Sequence, residues 1–444
     1  MRIRLDIPLW LSEISVAACG KLMDNDAAVS YVCTNSREVN AGDLFIALPG
    51  KEHDGNEFAG DVRSGGGYVL GQTDASIYVD DTEAAILRLV SLYKSKLPCL
   101  KRTVAITGSV GKTTTKELTK IILSSRYKVH ANLGNFNNAI GLLHTVLSAP
   151  KDTEVLITEM GMNHSGEISQ LSQAVTPDVA IITNIGTAHI GNLGSREAIA
   201  KAKLEICDGM TDGVLIVPYG EALLNVGKTV SVDRGDGDYR LLIRSVSTDK
   251  STFAFHGGNI ALNEGAVALV GRHLMIALAF AISAAEVCGL SEEHIRHGTS
   301  KIDAACLRQK RIRHGRYDIY DDTYSSSPEA AIAVIKALTQ QFPGNVSAVL
   351  GDMLELGEYS EELHRTVGET AAVYGVRRLY LFGKLAGYMK DGALDHGMPD
   401  SRIHVCDGIE EVANEIRRSY DGDLLIVKAS HAMHAERLYD FLKD

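Results

Sequence analysis

No Cys-x-x-Cys pair occurs anywhere in the chain, and its seven cysteines are scattered and odd in number. That usage argues against a zinc site and suits free thiols in a reducing compartment better than disulfides. A basic excess is missing as well. The net charge is -11, whereas a sequence-independent nucleic-acid binder needs a basic face. A local basic pocket for an anionic substrate is still allowed. Long apolar runs are absent too. The longest, Leu274 to Ala285, is well short of the roughly 18–20 residues of a membrane span and reads as a buried helix. The stretch from Met1 to Ser15 has two early arginines but no apolar core ahead of a small-residue cleavage site. Together these absences place the chain in the cytoplasm, with no membrane span and no nucleic-acid partner. Internal repeats and low-complexity linkers are also lacking.

What is present is a soluble globular composition, 45% hydrophobic and 23% charged over 444 residues. At roughly 150 residues per domain that length predicts about three domains. We place them at 1–82, 83–308 and 309–444. In the first, Gly/Asp turns interrupt short apolar strands such as Asp43–Leu48 and Gly67–Leu70. A helical stretch, Glu83 to Lys94, leads out of it. In the second, apolar strands alternate with amphipathic helices: Thr103–Ile106, Val155–Ile157 and Val179–Ile182 are strands, and Leu118, Ile121 and Ile122 share one helix face. Such alternation predicts an α/β fold with a parallel sheet whose ligands sit at the carboxyl ends of strands. The third segment opens with a marked helix start, Ser327 as N-cap and Pro328 then Glu329 in the first turn. Strands Val346–Leu350, Leu379–Phe382 and Leu424–Val427 then alternate with helices, a second and smaller α/β domain.

The residues just after the first central strand carry the clearest chemistry. Thr107-Gly108-Ser109-Val110-Gly111-Lys112-Thr113-Thr114 follows a strand and opens a helix, the setting of a phosphate-binding loop. Glycines let backbone N–H groups turn onto phosphates, and the helix N-terminus adds favourable partial charge. Lys112 reaches the β- and γ-phosphates of ATP, and the Thr113 hydroxyl can hold Mg²⁺. Ile106 stands where the commonest motif has its first glycine. Glu159 follows the next strand, where a carboxylate could ligate Mg²⁺, and Gly161 is expected to turn the chain sharply after it. A strand-end glutamate alone is more often a solvated charge or a helix cap. His189 comes shortly after the strand ending near Ile185, and a lone histidine is usually structural. Lys203 by itself reads as solvated helix surface.

Taken together these segments resemble the Mur ligases, the ATP-dependent amide-forming enzymes of peptidoglycan precursor synthesis. The phosphate loop is similar to the family's short ATP loop, which also lacks the first glycine. Asn135-Phe136-Asn137-Asn138, Glu159-Met160-Gly161-Met162-Asn163-His164, Thr183-Asn184-Ile185-Gly186-Thr187-Ala188-His189 and Ala202-Lys203-Leu204-Glu205 look like four further family segments. Leu350-Gly351-Asp352-Met353-Leu354-Glu355-Leu356-Gly357, and in the first segment Asn35-Ser36-Arg37 with Gly42-Asp43-Leu44-Phe45, resemble the members that add D-alanyl-D-alanine to UDP-N-acetylmuramoyl-tripeptide. The resemblance implies a uridine-nucleotide-binding first domain, a central ATPase domain and a Rossmann-like third domain, working as a monomer. It implies that Gly108, Ser109, Val110, Gly111, Lys112, Thr113, Thr114, Arg308 and Asp321 hold ATP. Thr113, Glu159, His189 and Lys203 would serve two Mg²⁺ ions, with Lys203 acting as its CO₂ carbamate. Ser36, Arg37, Asn135 and Asn138 would meet the uridine-linked substrate.

Several positions depart from the family pattern. His273-Leu274-Met275-Ile276-Ala277 replaces His-Asn-x-x-Asn, one asparagine of which is tied to adenine contact, and Asp321-Asp322-Thr323-Tyr324-Ser325-Ser326-Ser327-Pro328 replaces Asp-Asp-x-Tyr-Asn-Ala-Asn-Pro. Lys428-Ala429-Ser430-His431 ends in histidine rather than arginine, and Leu307-Arg308 keeps only the arginine of a Gly-Arg pair. Serine has a shorter arm than asparagine, and histidine lacks the guanidinium's permanently charged fork. At this stage three readings stand: the dipeptide-adding ligase, a relative with another amine or carboxylate, and a nucleotide-binding protein without ligase activity.

Overall fold

The computed structural model describes residues 1–50, 53–247, 250–269, 271–303 and 310–443. Its class is α/β, with three sheets of six, nine and six strands and fifteen α-helices among the described residues. No helix among them is long and apolar enough to cross a membrane. By internal contact the chain forms two compact units. The first comprises Met1–Thr107, Leu123–Ile181 and Ala202–Leu215; the second comprises Gly108–Ile122, Ile182–Lys201 and Ile216–Asp444.

In the first unit, Leu44–Ile46 pairs in parallel with Tyr68–Gly71. Phe45, Ala47 and Val69 are buried against Ala59 and Val62. The carboxylate of Asp43, nearly out of water, accepts two hydrogen bonds from Arg2 at 2.8 and 3.1 Å. Here the expected strand Asp43–Leu48 is shorter, because the Asp43 N–H turns back to the Asn40 carbonyl and the Leu48 N–H to that of Ile46. Helix Thr82–Ser95 starts where Asp81 accepts the Ala84 N–H. Farther along, Val155–Glu159 is flanked by parallel partners on both sides, Arg102–Thr107 and Val129–Ala131, and all five of its residues are buried. A strand buried on both faces reads as the continuous apolar run seen in the sequence.

In the second unit, helix Lys112–Leu123 buries Leu118 and Ile122 as the spacing predicts, leaves Ile121 half-buried, and also buries Lys116 and Thr119, which the spacing does not predict. Helix Arg272–Val287 is buried along nearly its whole length, as its small apolar residues require. Pro328–Gln341 starts as read from the sequence, with Ser327 Oγ accepting the Ala330 N–H at 3.3 Å. Parallel strands Val346–Gly351, Leu379–Phe382 and Leu424–Lys428 follow. Around them Val349, Tyr380, Leu425 and Val427 form a core with Val412 and Ile416, each fully buried aliphatic side chain contributing about 1.5–3 kcal/mol.

One expectation is corrected. The central segment is not parallel throughout, because Tyr239–Val246, Ser251–Gly257 and Ile260–Val267 form an antiparallel meander. Its second turn is carried by Gly257 and Gly258, both with positive φ, a tight hairpin that leaves no room for a crossover helix.

Candidate nucleotide and metal site

The phosphate loop leaves strand Arg102–Thr107 and enters helix Lys112–Leu123. Gly108 and Gly111 have positive φ, and a Cβ on Gly108 would run into Thr183 Oγ1. That close approach explains the first glycine as much as its backbone freedom does. Within the second unit the loop is tied to the segment after strand Val179–Ile182. Val110 N–H donates to Asn184 Oδ1 at 2.9 Å, Thr183 Oγ1 donates to the Val110 carbonyl at 2.6 Å, and Gly186 N–H donates to Ser109 Oγ at 2.9 Å. Lys112 Nζ folds back on the Gly108 carbonyl at 2.7 Å. Thr183 and Asn184 thus shape the loop, although neither was among the candidates drawn from the sequence. Their signal was position at a strand end.

Beside the loop, still within the second unit, lies a cavity of about 380 Å³. Val110, Gly111 and Thr114 border it on the loop side, and Leu274, Ala277 and Phe280 on another. The two positions that depart from the family's asparagines therefore face this cavity as apolar wall. Its polar groups include Asn184, His273 and Glu329. Glu329 Oε1 accepts the Thr187 N–H at 2.6 Å and packs on Gly186.

Glu159 ends its strand in the first unit, 4% exposed. Its own N–H donates to Asn132 Oδ1 at 2.8 Å, and its Oε1 accepts from Asn137 Nδ2 at 3.1 Å. Gly161 has a different purpose from the one expected. Its φ is not positive; a Cβ there would press within 2.8–2.9 Å of the Asn137 amide. Gly161 admits Asn137 to the carboxylate rather than turning the chain. Asn137 is the partner that sequence reasoning missed. Of its neighbours, Asn135 is exposed, and Asn138 caps helix Ala139–Leu147 by accepting the Gly141 N–H at 2.9 Å.

Lys203 overturns the surface reading. It lies on helix Arg196–Leu204 in the first unit and is 2% exposed. Glu205, from the same sequence segment, accepts the N–H groups of Gly166 and Ser169 and so caps helix Glu167–Val175. His189, in the second unit, has a left-handed backbone with φ 65°. Its Nδ1 lies 2.7 Å from Glu355 Oε2, close but not aligned as a hydrogen bond. Asp321, also in the second unit, turns back to accept from Thr323 N–H and Oγ1 at 3.2 and 2.8 Å. Burial, with the charge of Asp321, pushes the Tyr439 hydroxyl up. Arg308 lies outside the described residues.

Thr113 and Glu159 offer the hard oxygen donors that Mg²⁺ prefers, and Lys203 would do so only as a carbamate. Among the described residues no three His, Cys, Asp or Glu side chains are gathered as a ready-made metal cluster. Two of the four candidate ligands fall in each unit.

In the first unit Ser36 and Arg37 line a cavity of about 530 Å³ with Phe45, His53 and Phe58. The short turn bearing them is capped by Asn35 Oδ1, which accepts the Arg37 N–H at 3.2 Å. Next to His53 and Gly55 in the chain, hydrogen bonds from the Asn56 backbone and side chain hold the Asp54 carboxyl below its ordinary range. An aromatic pocket with an arginine suits a base joined to phosphates.

Comparison with known proteins agrees with this geometry. Residues 106–285 match the Mur ligase middle domain, and 307–431 match the Mur ligase, glutamate ligase domain. The UDP-N-acetylmuramoyl-tripeptide--D-alanyl-D-alanine ligase of Bacillus subtilis (strain 168) is 36% identical over 424 residues, 92% of each chain. The chain belongs to the Mur ligase family. Among solved structures, MurF of Acinetobacter baumannii has a TM-score of 0.88 at 27% identity, covering 99% of each chain. MurF ligase of Thermotoga maritima, solved in complex with ADP, has a TM-score of 0.80 at 26% identity, covering 93% of this Mur ligase and 96% of that one.

Proposed function

We propose that this Mur ligase is a cytoplasmic, monomeric enzyme that joins D-alanyl-D-alanine to UDP-N-acetylmuramoyl-tripeptide at the expense of ATP. The observation that carries the reading is the glycine loop opening helix Lys112–Leu123, in a chain that matches a dipeptide-adding ligase over nearly its full length. The three domains are 1–82 for the uridine end, 83–308 for ATP and 309–444 for the amine.

A carboxylate is a poor acyl donor until it is phosphorylated. The loop N–H groups and Lys112, released from the Gly108 carbonyl, hold and neutralise the triphosphate. A carboxylate oxygen of the tripeptide attacks the γ-phosphorus, the bond to the β-phosphate oxygen breaks, and ADP leaves. The dipeptide amine then attacks the acyl carbonyl, loses a proton and expels phosphate. Mg²⁺, when bound, supplies charge neutralisation at the phosphates; Thr113 and Glu159 would hold one ion and His189 a second, with the Lys203 carbamate bridging toward a metal. Lys203, buried on its helix, is read as the carbamate that the family pattern implies. Ser36 and Arg37 take the uridine diphosphate, Asn135 and Asn138 the substrate beyond it, and Arg308 and Asp321 the nucleotide.

A second reading keeps the ligation chemistry and changes the amine. It is favoured by His431, which is exposed and set edge-on against Tyr324 at 5.4 Å, where the family pattern has arginine. Phosphate release by the purified protein with ATP, Mg²⁺ and UDP-N-acetylmuramoyl-tripeptide distinguishes the two. Release that requires D-alanyl-D-alanine supports the first reading. Release that ignores the dipeptide but answers to another amine supports the second.

A further inference from the structure

His189 does not hold its place through regular structure. It stands in the left-handed region before the single-turn helix Ile190–Leu193, an uncommon state for a non-glycine residue, where support from its surroundings counts. Within the second unit that support comes from the third sequence segment. Glu355, itself left-handed with φ 66°, meets His189 Nδ1 through Oε2 at 2.7 Å and accepts the Gly191 N–H on its carbonyl at 3.2 Å. Tyr359 hydroxyl donates to the Gly194 carbonyl at 3.0 Å. Gly191 and Gly357 lie so close that a Cβ on Gly191 would stand 2.6 Å from Gly357 N. Two strained residues therefore face one another, each fixed by the loop that carries the other.

We propose that Glu355 is a positioning residue for His189. Its carboxylate stands against Nδ1, where a proton shared with it would fix the tautomer and leave Nε2 free for the cation that His189 would hold. A carboxylate on the far nitrogen of a ligating histidine raises its basicity and orients it, and removing such a partner weakens metal affinity by about 10–100-fold. The inference rests on the reading of His189 as a Mg²⁺ ligand. It adds that the ligand becomes competent only when the Glu355 turn is seated against it.

The test uses the full-length protein and four variants: Glu355→Ala, Glu355→Gln, Tyr359→Phe and His189→Gln. Two quantities are read: the Mg²⁺ concentration giving half-maximal phosphate release, and the tautomer of His189 by ¹⁵N-histidine NMR without ligands, the resonance being assigned by its loss in His189→Gln. Glu355→Ala should raise the Mg²⁺ requirement about tenfold, leave the KM for ATP within about threefold, and populate the Nε2–H tautomer. Glu355→Gln keeps an acceptor for Nδ1–H and should recover most of the wild-type behaviour. Tyr359→Phe removes one bond from the same turn without touching the imidazole; it should shift the Mg²⁺ requirement well below the Glu355→Ala effect and leave the tautomer in place. The inference is overturned if Glu355→Ala changes neither readout, or if Tyr359→Phe shifts the Mg²⁺ requirement equally. If His189→Gln leaves that requirement untouched, the ligand reading itself fails, a result separable from silence at Glu355 alone.

Discussion

Glu159 ends its strand and His189 follows the loop after the next one, and they are secured in opposite ways. Glu159 is the last residue of a strand with parallel partners on both sides, and its carboxylate is met by Asn137 from a loop in the same compact unit. His189 lies beyond the end of its strand, in a strained backbone state, and leans on Glu355 from far along the chain. The first arrangement is rigid because the sheet is. The second is only as fixed as the contact between two loops, so its geometry can respond to whatever moves the third segment.

The sharpest way to break the comparison is at its rigid side. Glu159→Ala removes the carboxylate while strand Val155–Thr158 keeps both neighbours, so the fold should survive. We expect phosphate release to fall about 1,000-fold, equivalent to roughly 4 kcal/mol of lost charge stabilisation. Circular dichroism should be unchanged. A mutant that retains a tenth of the activity would remove Glu159 from the metal reading.

The flexible side should answer to a change that touches no polar atom. Gly191→Ala places a methyl against Gly357, pushing the Glu355 turn away from His189. Misplacement of about an ångström at a reacting centre costs about 100-fold. We therefore expect kcat to fall by about that factor while ATP binding, measured by equilibrium dialysis with the nonreacting nucleotide, stays near wild type. An equal loss of ATP affinity would mean that Glu159 and His189 are not independently held.

The same contrast decides what the sequence could reveal. Val155–Ile157 and Val179–Ile182 announce themselves as apolar runs, and the loop at Gly108–Thr114 follows from its strand-glycine-helix setting. Ser327-Pro328-Glu329 marks a helix start that the structure keeps to the residue. The misses belong to tertiary contact. Lys203 sits in Arg-Glu-Ala-Ile-Ala-Lys-Ala-Lys-Leu, four residues after Ile199 and three before Ile206, both buried; the spacing puts it on the inner face, but a lysine there reads as surface until the packing is seen. Asn137 and Glu355 lie in loops without periodicity, so nothing nearby says which residue each will meet. The antiparallel meander was hidden because alternation and a glycine pair, its only signals, stood within a segment otherwise organised as strands and helices. Family resemblance named Lys203 where physics alone could not.

The smallest expected effect probes how the third segment is seated. Ser327 Oγ caps helix Pro328–Gln341, and the first turn of that helix carries Glu329, whose carboxylate accepts the Thr187 N–H two residues before His189. Ser327→Ala leaves Glu329 in the sequence but frays the turn that aims it. Loss of an N-cap of this kind costs about 1 kcal/mol, too little to unfold the chain. If the loop bearing His189 depends on these distant groups, ligation should fall about threefold to fivefold, with a small drop in the unfolding temperature by calorimetry. Ser327→Asp restores a capping oxygen and should return both values. Were the temperature to drop without any change in ligation, Glu329 would belong to the helix alone, and support of the His189 loop would rest on the Glu355 turn.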